Sequence, residues 1–186
     1  MARRGEDEQA CRILCETASR LHAQRPGAVP ELHALDEWFR PLFDEAGRHS
    51  RLSPSAEIAR RLLADQRDIR PLHGDLHHEN VLDFGPRGWL AIDPHGLLGE
   101  RFFDYANIFT NPDLGEPGLP VARRPGRLES RLAIVTEMSG VDATRMLHWI
   151  AAWTGLSAAW FIGDGDDESA AIDFEINDIA LGLLGA

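Results

Sequence analysis

Lysine is missing from this 186-residue sequence: all 19 basic side chains are arginine. No lysine ammonium is therefore available to pair a phosphate. Cysteine is nearly missing too. Cys11 and Cys15 stand four apart, which excludes a disulfide framework and is not the C-x-x-C spacing of a zinc or redox pair. Both read as small apolar core residues, and a reducing, cytoplasmic setting is the expectation. Positive charge is scarce. A formal net charge of −11 argues against a general binder of nucleic-acid backbones and fits a soluble protein or one that handles cationic ligands. The most apolar run, 147–162, contains His148, Thr154 and Ser157 and is shorter than the ~20 residues of a membrane span. The first eight residues carry charge but no apolar segment, so no secretory signal is expected. What is present is ordinary for a globular chain, 44% hydrophobic and 26% charged, which is enough for one domain over 1–186 with its own core.

Helical periodicity dominates. Cys11, Leu14, Cys15, Ala18, Leu21 and His22 mark one face of a helix over 7–24, ended by Arg25-Pro26-Gly27. A second pattern covers 31–47, where Pro41 should bend or break it. Ser53-Pro54 reads as the cap and first turn of a third helix running to Gln66. The texture then changes. Val81–Phe84 and Trp89–Ile92 flank Gly85-Pro-Arg-Gly88 as a β-hairpin. Helix returns at 101–109, gives way to a Pro- and Gly-rich loop over 111–126, and resumes at 127–138, 142–162 and 169–184, with Asp142 as a cap. The expected fold is mainly α with one small hairpin.

The chemistry concentrates in His73-Gly-Asp-Leu-His-His-Glu-Asn80 and in Asp93, thirteen residues on. Asp75 and Asn80 end one short loop, and the hairpin returns the chain so that Asp93 comes back beside Asn80. A carboxylate, an amide and a second carboxylate then converge. Hard divalent cations such as Mg²⁺ take oxygen ligands of this kind, with water and phosphate completing the shell. A carboxylate facing them can accept a proton from an attacking hydroxyl.

This spacing resembles the catalytic loop of kinases, H-x-D-x-x-x-x-N followed by a metal-binding Asp. The His73-Gly74-Asp75 form is similar to the aminoglycoside phosphotransferase branch. Leu72–Leu82, Trp89–Pro94 and Gly99–Asn107 resemble the streptomycin 6-kinase and hydroxyurea-kinase subgroup, as do Asn111-Pro112-Asp113 and the tryptophan-rich stretch 149–160. The resemblance implies a protein-kinase-like C-terminal lobe. Asp75 would be the catalytic base, and Asn80 and Asp93 the Mg²⁺ ligands. His73 would brace the loop, with Arg101 and Asp104 as a supporting pair. Leu82 and Ile92 would form the floor of the nucleotide pocket. Asp113, Asp164 and Asp166 are the residues expected to meet a cationic substrate. The implied activity is ATP-dependent phosphorylation of an alcohol group on a streptomycin-like antibiotic, with ATP as co-substrate, Mg²⁺ as cofactor, and neither nucleic acid nor membrane as partner.

The family's nucleotide clamp, a Gly-rich loop and a strand lysine, has no counterpart here. The β-rich N-terminal lobe is therefore expected to be absent from these residues and to be supplied upstream or by a separate chain. Two other readings stand beside this one. One is an inactive lobe that binds ligand only. The other is a metal-dependent phosphoesterase using His73, Asp75, His77 and His78. His77 and His78 themselves read better as loop hydrogen-bonding groups, because adjacent loop residues point apart.

Overall fold

A computed structural model describes residues 1–27 and 31–185. A short 3-10 turn precedes α1 (Asp7–His22), then come β1 (His33–Ala34), α2 (Leu35–Trp38) and α3 (Arg40–Ala46). The chain continues through α4 (Ser53–Ala64), β2 (Ile69–Leu72), β3 (Val81–Asp83), β4 (Trp89–Ala91) and β5 (Leu97–Glu100). It ends with α5 (Phe103–Ala106), α6 (Arg127–Ser139), α7 (Ala143–Asp164) and α8 (Asp167–Gly185). No described helix is long and apolar enough to cross a membrane.

The centre of the molecule is α7. From Met146 to Ala159 nearly every residue is buried, as befits a helix that is apolar all round. Helices α8, α4, α3, α5 and α6 pack around it. Helix α4 comes unusually close, because a Cβ at Gly155 would lie 2.2 Å from that of Ser55. The expected break at Pro41 falls at Phe39, leaving two short helices with Pro41 in the first turn of α3. Asp142 caps α7 as expected, accepting from the Arg145 amide at 2.8 Å. Ser53 is not a cap: it lies inside α4, whose preceding residue Leu52 offers no side-chain bond.

The hairpin forms with Val81 opposite Ala91 and Asp83 opposite Trp89. A second, three-stranded sheet was not expected. In it β5 lies between β1, which runs parallel to it, and β2, which runs antiparallel. Its main clamp is Glu100, fully buried and bonded to Arg145, to the indole of Trp149 (2.8 Å) and to the Arg67 amide (2.9 Å). These bonds tie β5 to α7.

One buried group opposes the fold. Asp173 of α8 has no exposed surface, and neither carboxyl oxygen makes a hydrogen bond of good geometry among the described residues. Burial pushes its carboxyl well above the usual carboxylate range, and the nearby Ser157 hydroxyl offsets only part of this. The unfolded carboxyl titrates near ~3.9, so folding becomes less favourable as pH rises from there through the raised folded value. Asp173→Asn keeps the shape without the charge. It is expected to stabilise the fold at pH 8 by on the order of 1–3 kcal/mol, and the gain should shrink toward pH 4. Thermal unfolding of both proteins across that range checks it. A gain that is equal at both ends would refute the assignment.

Candidate active site

The loop 73–80 leaves β2 and enters β3, and its first turn is built around Asp104. The buried Asp104 carboxylate accepts from the His73 amide through Oδ2 and from the Gly74 amide through Oδ1, both at 2.8 Å. His22 donates to Oδ2 from Nε2, also at 2.8 Å. Gly74 holds φ +87°, and a Cβ there would meet the Leu97 side chain at 2.9 Å. Only glycine satisfies both requirements.

His73 is fully buried and both ring nitrogens are used. Nδ1 accepts from the Asp75 amide (3.2 Å), which leaves the proton on Nε2 to be donated to the Ile92 carbonyl (2.8 Å). The ring is therefore neutral and joins the loop to the far strand of the hairpin. The Ile92 amide in turn donates to the Asn80 carbonyl at 3.0 Å, and the His95 amide to the His73 carbonyl at 2.8 Å. His73, the residue expected to brace the loop, thus bonds the loop through Nδ1 and the Ile92 carbonyl through Nε2.

Asp75 sits half-buried at the loop's opening. Its Oδ1 accepts from Asn107 Nδ2 at 2.7 Å, and its Oδ2 from Asn80 Nδ2 at 3.0 Å. His77 Nε2 lies 3.4 Å from the same Oδ2. Burial pushes the carboxyl up, but His77, the Asn107 bond and His95 outweigh it and hold it below its ordinary value. Asp75 is thus an ionised, oriented acceptor. Asn107 on the turn after α5 carries no local sequence signal for this role, since the contact spans 32 residues.

Asn80 spends its amide nitrogen on Asp75, donating also to the Asp75 carbonyl at 2.8 Å. Its Oδ1 makes no hydrogen bond among the described residues. Asp93 is exposed and adopts φ +59° immediately before Pro94, a left-handed conformation uncommon for a non-glycine residue. Strand pairing sets its neighbour Ile92 against Asn80. The amide oxygen and the carboxylate are hard oxygen donors without partners among the described residues, and a magnesium ion takes oxygen ligands of this kind. No three His, Cys, Asp or Glu side chains converge as a metal cluster among the described residues.

Several expectations need correction. Arg101 does not pair with Asp104: it donates to Asp68 Oδ2 at 2.5 Å and to the Ser139 carbonyl at 2.8 Å. The two residues do not share a helix, because α5 begins only at Phe103. Asp113 is wholly buried, and its oxygens accept from the amides of Val121 (2.8 Å), Ala122 (2.9 Å) and Arg123 (3.3 Å) and from Arg123 Nε (3.1 Å). It organises the 111–126 loop and is closed to substrate. Asp166 caps α8, accepting from the Ser169 amide at 3.0 Å. Asp164 is exposed and lines an open recess of about 580 Å³ with Asp44, Glu45 and Trp160. An aromatic row leads from there back to the loop: Trp160 to Trp38 at 5.4 Å, and Trp38 to His95 at 5.1 Å. Leu82 and Ile92 are exposed; a cavity of about 280 Å³ opens between Leu82, Trp89, Leu14 and His78, and Ile92 is not part of its lining. Burial, followed by nearby Arg131, pushes His78 down to about 3, so its ring is neutral.

The sequence model of the aminoglycoside/hydroxyurea antibiotic resistance kinase family matches residues 1–165. The streptomycin 3''-kinase of Klebsiella pneumoniae is 66% identical over 182 residues, covering 97% of this chain and 68% of that protein. The streptomycin 6-kinase of Streptomyces griseus is 32% identical over 173 residues, 86% of this chain and 54% of that protein. The hydroxyurea phosphotransferase of Kitasatospora aureofaciens is 28% identical over 141 residues, 76% of this chain and 38% of that protein.

Proposed function

This chain belongs to the aminoglycoside/hydroxyurea antibiotic resistance kinase family, and from that premise we propose that residues 1–186 form the kinase-like catalytic and substrate lobe of an ATP-dependent streptomycin phosphotransferase. The observation that carries the proposal is Asp75, an ionised carboxylate held from both sides by amide nitrogens at the mouth of a rigid loop. In this reading Asp75 accepts the proton of the attacking hydroxyl. Asn80 Oδ1 and Asp93 would hold Mg²⁺, which supplies neutralising charge to the transferring phosphate. Leu82 and Ile92 give the nucleotide an apolar floor. His73 and Asp104 keep the loop still, so that the reacting groups meet in one geometry. Asp164, with Asp44, faces the cationic antibiotic at the far end of the Trp160–Trp38–His95 row.

The 3''-hydroxyl of streptomycin is the acceptor best supported, given 66% identity to a 3''-kinase against 32% to a 6-kinase. A phosphoesterase built on His73, Asp75, His77 and His78 is not supported. His73 has both nitrogens bonded, and both ring nitrogens of His78 are buried away from the loop's opening. The test is transfer of labelled phosphate from ATP to streptomycin with Mg²⁺, run on the chain alone and on the chain supplemented with a family N-terminal lobe. Phosphorylated streptomycin is the expected product. Its absence in both, with nucleotide still bound, would leave the ligand-binding reading in its place.

A further inference from the structure

We propose that Asn107 is the positioning residue for Asp75, holding its carboxylate in the one orientation that serves phosphoryl transfer; this rests on the reading of Asp75 given above. The Asn107 Nδ2–Asp75 Oδ1 contact, at 2.7 Å, is the shortest that the carboxylate makes. A carboxylate joined to the backbone through one methylene swings freely unless both oxygens are held. Asn80 holds the other oxygen, but the same side chain is the one expected to serve a cation, so its grip changes with occupancy. Asn107 is nearly fully buried and has no such second duty.

The amide of Asn107 is itself locked. Its Oδ1 accepts from Asn111 Nδ2 at 2.8 Å, so a flip would set oxygen against the Asp75 carboxylate and nitrogen against a donor. Asn111 is fixed in turn, because Arg131 Nη1 donates to its carbonyl at 2.7 Å and to that of Ile108 at 2.6 Å. Arg131 is buried and paired with Asp7 at 2.6 Å. A continuous series of bonds thus runs from a buried ion pair to one oxygen of the proposed base. Asn107 lies beneath Asp75, where it acts through that carboxylate.

A double-mutant cycle tests this on the protein in its phosphotransferase assay. Asn107→Ala should lower kcat by about 10- to 100-fold and leave KM for ATP and streptomycin within about twofold. In an Asp75→Asn background the same change should cost less than about twofold, because the group it positions is gone. Equal losses in both backgrounds, or no loss of kcat, would overturn the proposal. A kcat unmoved by Asp75→Asn alone would instead overturn the reading of Asp75 on which it rests. Asn111→Ala leaves Asn107 in place and removes its lock, and serves where Asn107→Ala does not fold; a smaller kcat loss of the same pattern is expected. The 186-residue chain gives a readout free of turnover. One side-chain amide proton of Asn107 should resonate downfield and exchange slowly, and lose both properties in Asp75→Ala, which has no acceptor left at that position. An Asn107 amide insensitive to residue 75 would refute the contact itself.

Discussion

Asp75→Asn is expected to lower kcat for streptomycin phosphorylation by about 10²–10⁴-fold, the usual cost of losing a general base. On the proposed reading the nucleotide is held elsewhere, on Leu82, Ile92 and the cation-binding pair, so KM for ATP should move little. Asp93→Asn should behave differently, raising the Mg²⁺-ATP requirement as well as lowering kcat, because on the proposed reading it would weaken a ligand to the ion that both steps need. The structure adds a second cost to Asp75→Asn. Both oxygens of Asp75 accept from amide nitrogens, and an asparagine can present an oxygen to only one of them. The new amide nitrogen would face a donor, so some loosening of the loop is expected alongside the lost base. Thermal unfolding separates the two effects: a drop of a few degrees with a thousandfold loss of kcat identifies chemistry. Retained turnover would remove Asp75 from the mechanism.

The loop and the hairpin were legible in the sequence because their signals are local. His73, Asp75 and Asn80 occupy a fixed eight-residue span, and the Gly85–Gly88 turn sits between two apolar runs that pair as expected. The three-stranded sheet was hidden for the opposite reason. Its strands have two to four residues, too few to show alternation, and two of them carry Pro71 and Gly99. Gly99 is there because a Cβ would lie 2.3 Å from the Leu35 side chain, a closeness that no periodicity reports. The supporting residues failed in the same way. Asp104 was placed correctly beneath the loop, yet its partners are His22 and two backbone amides, 82, 31 and 30 residues away in sequence. Arg101 was given the nearest acid three residues on, but the chain bends between them before α5 starts. Asp113 looked like an exposed loop acid because its three amide partners lie eight to ten residues later in a stretch without pattern.

The largest stability loss should come from Arg131→Met. Arg131 joins α1, α6 and the 108–111 turn: two bonds reach Asp7, at 2.6 and 3.1 Å, and two reach the carbonyls of Ile108 and Asn111. Its side chain and that of Asp7 are each 1% exposed, so removing the guanidinium leaves a carboxylate and two carbonyls buried. Breaking a buried pair from one side costs about 3–5 kcal/mol. Arg127, 3.0 Å from Asp7 Oδ2, remains to compensate in part, which sets the expectation near the lower figure. At about 2–4 °C per kcal/mol for a domain of this size, Tm should fall by roughly 6–12 °C. Replacing both partners, Asp7→Leu with Arg131→Met, should recover much of that loss, since no charge is then stranded. Acid should reproduce the single variant. Burial pushes the Asp7 carboxyl up, but Arg131 and Arg127 outweigh it and hold it below the usual range. The pair's stabilisation is therefore complete above the unfolded carboxyl value of ~3.9 and disappears as pH falls through the lower folded value. In the Arg131→Met protein that acid-dependent loss should shrink, and hydrogen exchange should rise first at residues 107–111, where the turn that holds Asn107 has lost its anchor. A Tm within about 2 °C of the parent, less than 1 kcal/mol on the same scale, would show that Arg127 replaces Arg131 and that the turn holds Asn107 unaided.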